Sequence, residues 1–372
     1  MKIGYCRGCG SVLQSENKQK PGYIPPEALE RNGALICQRC FRVTHYDDIG
    51  TNRPEPVFIR QSIIKAITDS ELLVLVADFS DLTGSLPVWL NLLGEKPFIL
   101  ALNKTDLLPS RTKPEEVTAY LKQYLQTLGM HQPNAIVLVS GLKSKGISYL
   151  SEQIRKSVKQ NAKVAFLGVA NVGKSSLVKS FLTAEGSNLG PTVSRYPGTT
   201  MGLSNWSIFR GRNTLIDTPG LNPGDRYSDL LCPGCACSLL PHPKLQQKLW
   251  SLNPSKGLLL GSLFGIESLA TEEVVAIAFS SPNIKSHRTD NAKVLPFLHE
   301  RPEWLSQLCG ECGAKMEWVT ETIAIESNMD LGLAGLGWIS LRKVNAEYKI
   351  HYPKGIRWEI RPALIGKKDE ST

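Results

Sequence analysis

The sequence predicts a multidomain protein: a small cysteine-rich module, an α/β domain built on a parallel sheet, and a β-rich (α+β) C-terminal domain. Three observations predict it. Two Cys-x-x-Cys pairs lie close together near the N-terminus. From Arg60 onward, apolar β-like runs alternate with helical patterns. Beyond about residue 249, several short runs alternate apolar and polar positions. The expected boundaries are 1–50, 51–248 and 249–372. With 372 residues, the chain can hold two or three cores at about 150 residues per domain. A content of 42% hydrophobic and 21% charged residues excludes a disordered or fibrous protein. No apolar stretch approaches the roughly 18–20 residues a membrane span requires. The cysteines begin at Cys6, leaving no room for an export or transit peptide, so a cytoplasmic, reducing location is expected.

In the first module, Cys6-Arg-Gly-Cys9 and Cys37-Gln-Arg-Cys40 are separated by 27 residues. Two residues between cysteines let both thiolates face one ion, and two such knuckles supply the closed tetrahedral shell of structural zinc. Gly8 and Gly10 suit the tight turns, and Pro21-Gly22 and Pro25-Pro26 mark the intervening loop. So short a segment has little core, so the metal would contribute most of its folding energy. His45 follows a shell that four sulfurs already complete, and reads as a surface or interface residue.

In the α/β region, strands are expected at Leu72–Ala77, Phe98–Leu102, Ala135–Val139, Val164–Leu167, Leu203–Phe209 and Thr214–Ile216, and the loops after them carry the chemistry. Gly168-Val-Ala-Asn171-Val172-Gly173-Lys174-Ser175-Ser176 follows a strand and precedes a helical run to Leu182. This is a complete phosphate-binding loop: backbone amides wrap the β-phosphate, Lys174 neutralises β/γ oxygens and the Ser175 hydroxyl ligates Mg²⁺. Asp217-Thr-Pro-Gly220 ends another strand, where Asp217 would hold Mg²⁺ through water and the Gly220 amide would sense a γ-phosphate. Between them, Pro197-Gly198-Thr199-Thr200 offers a hydroxyl to complete the Mg²⁺ shell, Thr200 preferred and Thr199 the alternative.

Asn103-Lys104-Thr105-Asp106 follows Phe98–Leu102, and an aspartate there can accept both N1–H and N2–H of guanine, which adenine cannot supply. Ser140-Gly141-Leu142-Lys143 follows Ala135–Val139, where a backbone amide could meet guanine O6. Each base-reading motif is weak alone, but the five together specify a GTPase, with Lys174, Thr200, Asp217 and Gly220 as its catalytic set. Their order is unusual: the guanine-reading motifs precede the phosphate loop. A parallel sheet tolerates being cut at one surface loop and rejoined at another. The domain therefore reads as a circularly permuted P-loop GTPase whose second switch runs directly into the C-terminal region. Leu221 stands where a water-orienting Gln is found in Ras-like proteins.

Two further cysteine groups are Cys232-Pro-Gly-Cys235-Ala-Cys237 and Cys309-Gly-Glu-Cys312. Pro233 and Gly234 would interrupt a helix, so the first reads as a knuckle. Cys232, Cys235, Cys309 and Cys312 are candidates for a second metal, with Cys237 as a substitute ligand. An iron–sulfur cluster, free thiols and a regulatory disulfide remain alternatives.

In the last region, strands are expected at Gly257–Leu263, Val274–Phe279, Trp318–Ile325, Trp338–Leu341, Tyr348–Tyr352 and Arg357–Ile360. The net charge of +9 is uneven: residues 257–330 hold 5 basic and 11 acidic groups, while Arg342–Lys368 holds 8 basic and 2 acidic. Arg342, Lys343, Lys349, Lys354, Arg357 and Arg361, interleaved with Tyr348, Tyr352 and Trp358, could track phosphates and stack bases of RNA. The competing reading makes the aromatics core and the cations solvated. His287 and Arg288 are additional contact candidates.

The motif order, preceded by Cys6-x-x-Cys9, Lys20-Pro-Gly-Tyr23 and Ile36-Cys-Gln-Arg-Cys-Phe41, resembles the YqeH family of circularly permuted GTPases. Ser286-His-Arg-Thr289 and Leu333-Ala-Gly-Leu-Gly-Trp-Ile339 are also similar to that family, so the likeness covers most of the chain. It implies an N-terminal treble-clef-like zinc finger holding Zn²⁺, a permuted G domain and a C-terminal RNA-binding domain. It further implies a role in small-subunit ribosome assembly, with rRNA and ribosomal proteins as partners of a monomeric protein. Related GTPases with Asn at the position of Asn171 and a hydrophobic residue at that of Leu221 use K⁺ near the β/γ bridge, which implies slow, K⁺-stimulated hydrolysis of GTP to GDP. The second cysteine set departs from the family pattern. Two other functions compete: an RNA-binding module that keeps GTP as a structural ligand, and a regulator in redox or nitric-oxide physiology, for which no Cys–His catalytic arrangement is visible.

Overall fold

The computed structural model describes residues 13–17, 22–25, 56–109, 112–186, 203–241 and 244–365. The first cysteine quartet, Cys6, Cys9, Cys37 and Cys40, lies outside the described residues, as do Thr199 and Thr200.

The first sheet contains β1 (Leu72–Asp78), β2 (Phe98–Asn103), β3 (Ala135–Leu138), β4 (Lys163–Gly168), β5 (Ser204–Ile208) and β6 (Asn213–Asp217) in the order β3-β2-β1-β4-β6-β5. All neighbours are parallel except β5, which pairs antiparallel with β6. Every residue of β1 and β2 is buried, as central strands covered on both faces by crossover helices require. Helix Pro114–Thr127 covers one face with Val117, Tyr120, Leu121, Tyr124 and Leu125, a one-sided helical spacing. From β3 the chain crosses back over β2 and β1 to enter β4. The cleft between β1 and β4 is thus the switch point, where loops diverge and ligands bind in open α/β sheets. Parallel pairing also brings the carboxyl ends of β1, β2, β3, β4 and β6 to one edge, whatever their order in the chain.

The second body has two antiparallel sheets. One contains β7 (Gln246–Leu252), β10 (Val274–Ser280), β13 (Met329–Leu333), β14 (Gly337–Arg342) and β16 (Trp358–Pro362), in the order β16-β13-β14-β10-β7. The other contains β8 (Lys256–Leu260), β9 (Phe264–Ser268), β11 (Ser286–Asp290), β12 (Trp318–Ile325) and β15 (Ala346–Pro353), in the order β11-β8-β9-β15-β12. Side chains of Leu258, Phe264, Ile266, Leu331, Ile339, Tyr348 and Ile350 fill one core. The strand expected at Gly257–Leu263 ends at Leu260 as β8, and the turn at Gly261–Leu263 leads into a further strand, β9. The expected boundary at 248/249 falls inside β7, and Tyr227, Leu231, Cys235 and Leu239 pack into the second core. The second core begins earlier, at Tyr227, while Phe279, Trp338 and Leu364 of the second body pack into the first. The Pro233–Gly234 pair does not interrupt a helix but begins one, Pro233–Leu239, with Cys232 as its N-cap. Proline is compatible with a first helical position because its missing N–H would have no partner there.

The cations expected on a phosphate-binding face are mostly paired within the protein. Arg361 is 2% exposed and lies against Glu359, 3.5 Å away. Arg342 donates to the Ile365 carbonyl at 2.6 Å and to Asn328 Oδ1 at 3.1 Å. Arg357 is paired with Asp225, Lys343 with Glu273, Lys349 with Glu267 and Lys354 with Glu317. Glu267, Glu273 and Glu317 belong to the acidic stretch 257–330, so the two charge excesses largely face each other. Tyr348 and Tyr352 are core residues. Arg361 is therefore no RNA contact, and Arg342 and Arg357 are tied inward. Lys343, Lys349 and Lys354 keep partly exposed ammonium groups in surface pairs, which hold weakly.

Arg361 instead joins the two bodies. It donates to Thr83 Oγ1 at 3.3 Å, and Glu359 accepts from Thr83 Oγ1 at 2.7 Å and from Tyr124 Oη at 2.5 Å. Beside this network Trp338 stacks on Phe279 at 4.5 Å and meets Phe79 edge-on at 5.8 Å. Burial, and next the Glu359 charge, push the Tyr124 hydroxyl far above its usual range, so it stays a donor. Arg361→Ala leaves Glu359 facing two hydroxyls without its cation. The expected loss is about 3 kcal/mol, the low end for breaking a buried pair because Glu359 keeps some exposure, read as a lower urea midpoint of the C-terminal transition. An unchanged midpoint would show that the network does not hold the bodies together.

Candidate functional site

At the carboxyl edge of the first sheet, β4 ends at Gly168 and the chain turns through Val169–Gly173 into helix Lys174–Ala184. Asn171 and Gly173 adopt left-handed backbone conformations, φ +70° and +81°. Asparagine tolerates that region and glycine enters it freely; at Gly173 a β-carbon would also come within 2.5 Å of Asn103 Nδ2. A turn of this kind entering a helix N-terminus can aim successive backbone amides at one anion, the arrangement that binds phosphate. The Lys174 side chain is buried, and its ammonium donates to the Asp217 carboxylate and the Thr218 carbonyl. Ser175 and Ser176 open the helix at the surface, and Val172 is buried beneath the loop.

The end of β6 is fastened to this loop. Thr218 Oγ1 donates to the Phe166 carbonyl at 2.8 Å. The Leu221 amide donates to Gly168 O at 3.0 Å and its carbonyl accepts from Ala170 N at 2.8 Å, a short parallel bridge. Gly220 fits there because a β-carbon would come within 3.0 Å of the Ala170 Cα. Leu221 is 8% exposed and belongs to the first core, so its side chain faces away from the concavity.

The base-reading loops join the phosphate loop through Asn103. Its Nδ2 donates to the Val172 carbonyl at 2.8 Å, and its Oδ1 accepts from the Gly141 amide at 2.9 Å. Asp106 Oδ1 accepts from Ser140 Oγ at 2.6 Å, and the same Ser140 Oγ accepts from Lys143 N at 3.1 Å. Leu142 projects from this loop into solvent. Asn103, Lys104, Asp106, Ser140 and Gly141 thus meet Gly168–Ser175 and Asp217–Gly220 at one edge.

Three residues that the motifs did not single out complete the site. Asp78, ending β1, pairs with Lys104 Nζ at 2.5 Å. Thr218 supplies the carbonyl that holds Lys174. Arg226 Nη1 donates to the Ala170 carbonyl at 2.8 Å while Nη2 pairs with Asp229 at 2.7 Å, all of it buried. No spacing rule marks Arg226, which acts through a loop carbonyl. Asp78 carries a weak signal, since it is a carboxylate at the end of an apolar strand pointing to the ligand edge.

The second cysteine group is also assembled. The ligand atoms of Cys232, Cys235, Cys309 and Cys312 all lie within 4.8 Å of one another, and Cys237 is outside the group. All five thiols are free, with Cys235 and Cys312 buried. Amide donation from Cys235, with its thiol, pulls Cys232 down to about 7, while burial pushes Cys235 up to about 12 and Cys312 upward.

A family model described as "50S ribosome-binding GTPase" matches residues 163–245, from β4 to the edge of β7. The Bacillus subtilis (strain 168) protein YqeH is 29% identical over 370 residues, covering 97% of this chain and 99% of that one. NO-associated protein 1 of Arabidopsis thaliana, chloroplastic/mitochondrial, is 25% identical over 438 residues, covering 97% of this chain and 76% of that one. The permuted strand order, the assembled phosphate and base loops and this similarity agree: the chain carries a circularly permuted GTPase domain and is similar to YqeH over nearly its whole length.

Proposed function

We propose that the protein is a cytoplasmic, monomeric GTP-driven switch in assembly of the small ribosomal subunit. The observation that supports it most is the convergence of four nucleotide-reading segments at one sheet edge, with Arg226 linking that edge to the C-terminal body. GTP binding follows from the residues present. Amides of Asn171–Ser175 would take the β-phosphate, Lys174 the β/γ oxygens, Asp106 the guanine N–H pair and the Gly141–Leu142 backbone the guanine O6. Ser175, Asp217 and Thr200 (or Thr199) would hold Mg²⁺, which neutralises charge building on the phosphates. The Lys174–Asp217 contact supports this, since it sets a cation and an anion where a phosphate and a metal would each take one.

Hydrolysis needs a positioned water, and the inward-facing Leu221 cannot supply it. Asn171 would instead hold K⁺ beside the β/γ bridge. The expected outcome is turnover several-fold faster in K⁺ than in Na⁺, measured as phosphate release at constant ionic strength. Equal rates would remove Asn171 from that role. The buried Leu221 also favours a second reading, in which GTP is a structural ligand. Absence of turnover with ribosomal subunits present would select it.

The route outward begins at Gly220. A γ-phosphate that moves the Gly220 amide moves Leu221 and, through the Ala170 carbonyl, Arg226. Tyr227 N donates to Ala334 O at 2.9 Å, and Gly335 N donates at 2.9 Å to Asp81, whose carboxyl burial pushes up. A cleft lined by Asp78, Asp81, Ala170, Asn171, Arg226 and Gly335 lies where these segments meet. The nucleotide state would thus be read by the β13–β14 turn. Lys343, Lys349 and Lys354, with His287 and Arg288, are the groups left to meet RNA.

Asn103→Ala removes partners from the Val172 carbonyl and the Gly141 amide. At about 1–3 kcal/mol for each buried group left unpaired, GTP and GDP affinity should fall at least tenfold in fluorescent-nucleotide titrations. Unchanged affinity would show that the bridge does not organise the site. In co-sedimentation with separated small and large subunits, small-subunit binding should depend on GTP over GDP and weaken steeply with salt. Preference for the large subunit, or binding indifferent to nucleotide and salt, would reject the small-subunit assignment.

A further inference from the structure

We propose that Cys232, Cys235, Cys309 and Cys312 bind one zinc ion in a closed four-thiolate site that fastens the segment after the second switch to the C-terminal body. The geometry is that of a mononuclear centre. With Zn–S bonds of about 2.3 Å, a tetrahedron has sulfur–sulfur edges of about 3.8 Å; the Cys232 and Cys309 sulfurs are 4.0 Å apart, and all four ligand atoms fall within 4.8 Å. An iron–sulfur cluster separates its cysteine sulfurs further, because iron and sulfide ions stand between them. A disulfide needs about 2.05 Å between sulfurs, so Cys232 and Cys309 are not joined.

The backbone is arranged for thiolates. Cys232 N donates to Cys312 Sγ at 3.2 Å, and Cys309 N donates to Cys235 Sγ at 3.2 Å. Each knuckle's first amide thus serves the other knuckle's second sulfur, a reciprocal pairing. Cys312 N adds a bond to Cys309 Sγ at 3.4 Å. Amides aimed at sulfur stabilise the deprotonated form that a metal requires. Each thiol that binds releases its proton, so loading is tighter at higher pH.

The location assigns the role. Cys232 and Cys235 follow the single-turn helix Tyr227–Leu230 that Arg226 caps, while Cys309 and Cys312 precede β12. The ion would close a loop of 80 residues, from Cys232 to Cys312, across the second core. The ion would add to the contacts that already hold this stretch to the C-terminal body: the Tyr227 hydroxyl on Leu263 O at 2.9 Å, the Tyr227 amide on Ala334 O at 2.9 Å and the Asp225–Arg357 pair.

The test counts metal in the full-length chain by mass spectrometry. Cys309→Ser/Cys312→Ser should lose one zinc equivalent relative to the parent, and Cys237→Ser should lose none. Cys6→Ser/Cys9→Ser isolates the second site: it should retain one equivalent and, loaded with Co²⁺, show thiolate-to-cobalt charge transfer with tetrahedral d–d bands. Chelation of that variant should also speed amide exchange across Tyr227–Leu239. Metal content unchanged in Cys309→Ser/Cys312→Ser, no metal in Cys6→Ser/Cys9→Ser, or iron with acid-labile sulfide would each overturn the proposal.

Discussion

The carboxamide of Asn103 is the joint on which the nucleotide end of the molecule depends. It spends its donor on the Val172 carbonyl and its acceptor on the Gly141 amide, so one side chain ties together loops that follow three different strands. Parallel pairing of β3, β2, β1 and β4 makes this possible, because it delivers the three loops to the same edge. The permuted chain order is invisible to that edge. What the edge senses is register, and the register places Asn103 beside Asp78 and within reach of the phosphate loop.

A second dependence runs away from the nucleotide. The first and second cores are distinct, yet the stretch between Leu221 and Leu239 belongs to both: Leu221 to the first, Tyr227, Leu231, Cys235 and Leu239 to the second. Arg226 sits at the changeover, buried, with one nitrogen on the phosphate loop and the others on Asp229. Displacing it would leave a buried carboxylate without its cation, a costly state. Movement in this stretch is therefore expected to be all-or-none rather than graded. The Thr83–Glu359–Arg361 network and the Trp338 stack anchor a separate part of the interface, giving a pivot about which the stretch can shift.

The centre of the first sheet was legible because β1, β2 and β4 are buried and read as continuous apolar runs, and because the loop motifs, weak singly at the base-reading end, specify one chemistry together. The C-terminal body was legible only in part. β11 is Ser-His-Arg-Thr-Asp, polar throughout, and β13 alternates Met329, Leu331 and Leu333 with Asp330 and Gly332, a pattern that would turn Asp330 to solvent. Asp330 is buried there through bonds from Ser340 Oγ and the Leu364 amide, partners that only the folded chain supplies. The same blindness misplaced Arg361: a basic residue in a basic stretch reads as surface, and nothing local discloses Glu359, Thr83 and Tyr124 around it. The cysteine pairs lay at the other extreme, their grouping visible from spacing and their mutual approach supplied by the fold.

The order of the strands also sets the order in which the site is made during translation. β1, β2 and β3, with Asn103, Asp106 and Ser140 on their loops, are complete before any residue of the phosphate loop has been added. β4 must then insert beside β1, at the open flank of that half-sheet, and β6 closes against it last. A nascent chain therefore holds a guanine-reading surface with no phosphate grip until β4 docks. The C-terminal sheets, one running from β7 to β16 and the other needing β15, form only after the nucleotide site can close. Nucleotide capture would thus come before completion of the domain that reads it, and GTP can act as a folding ligand for a half-synthesised protein.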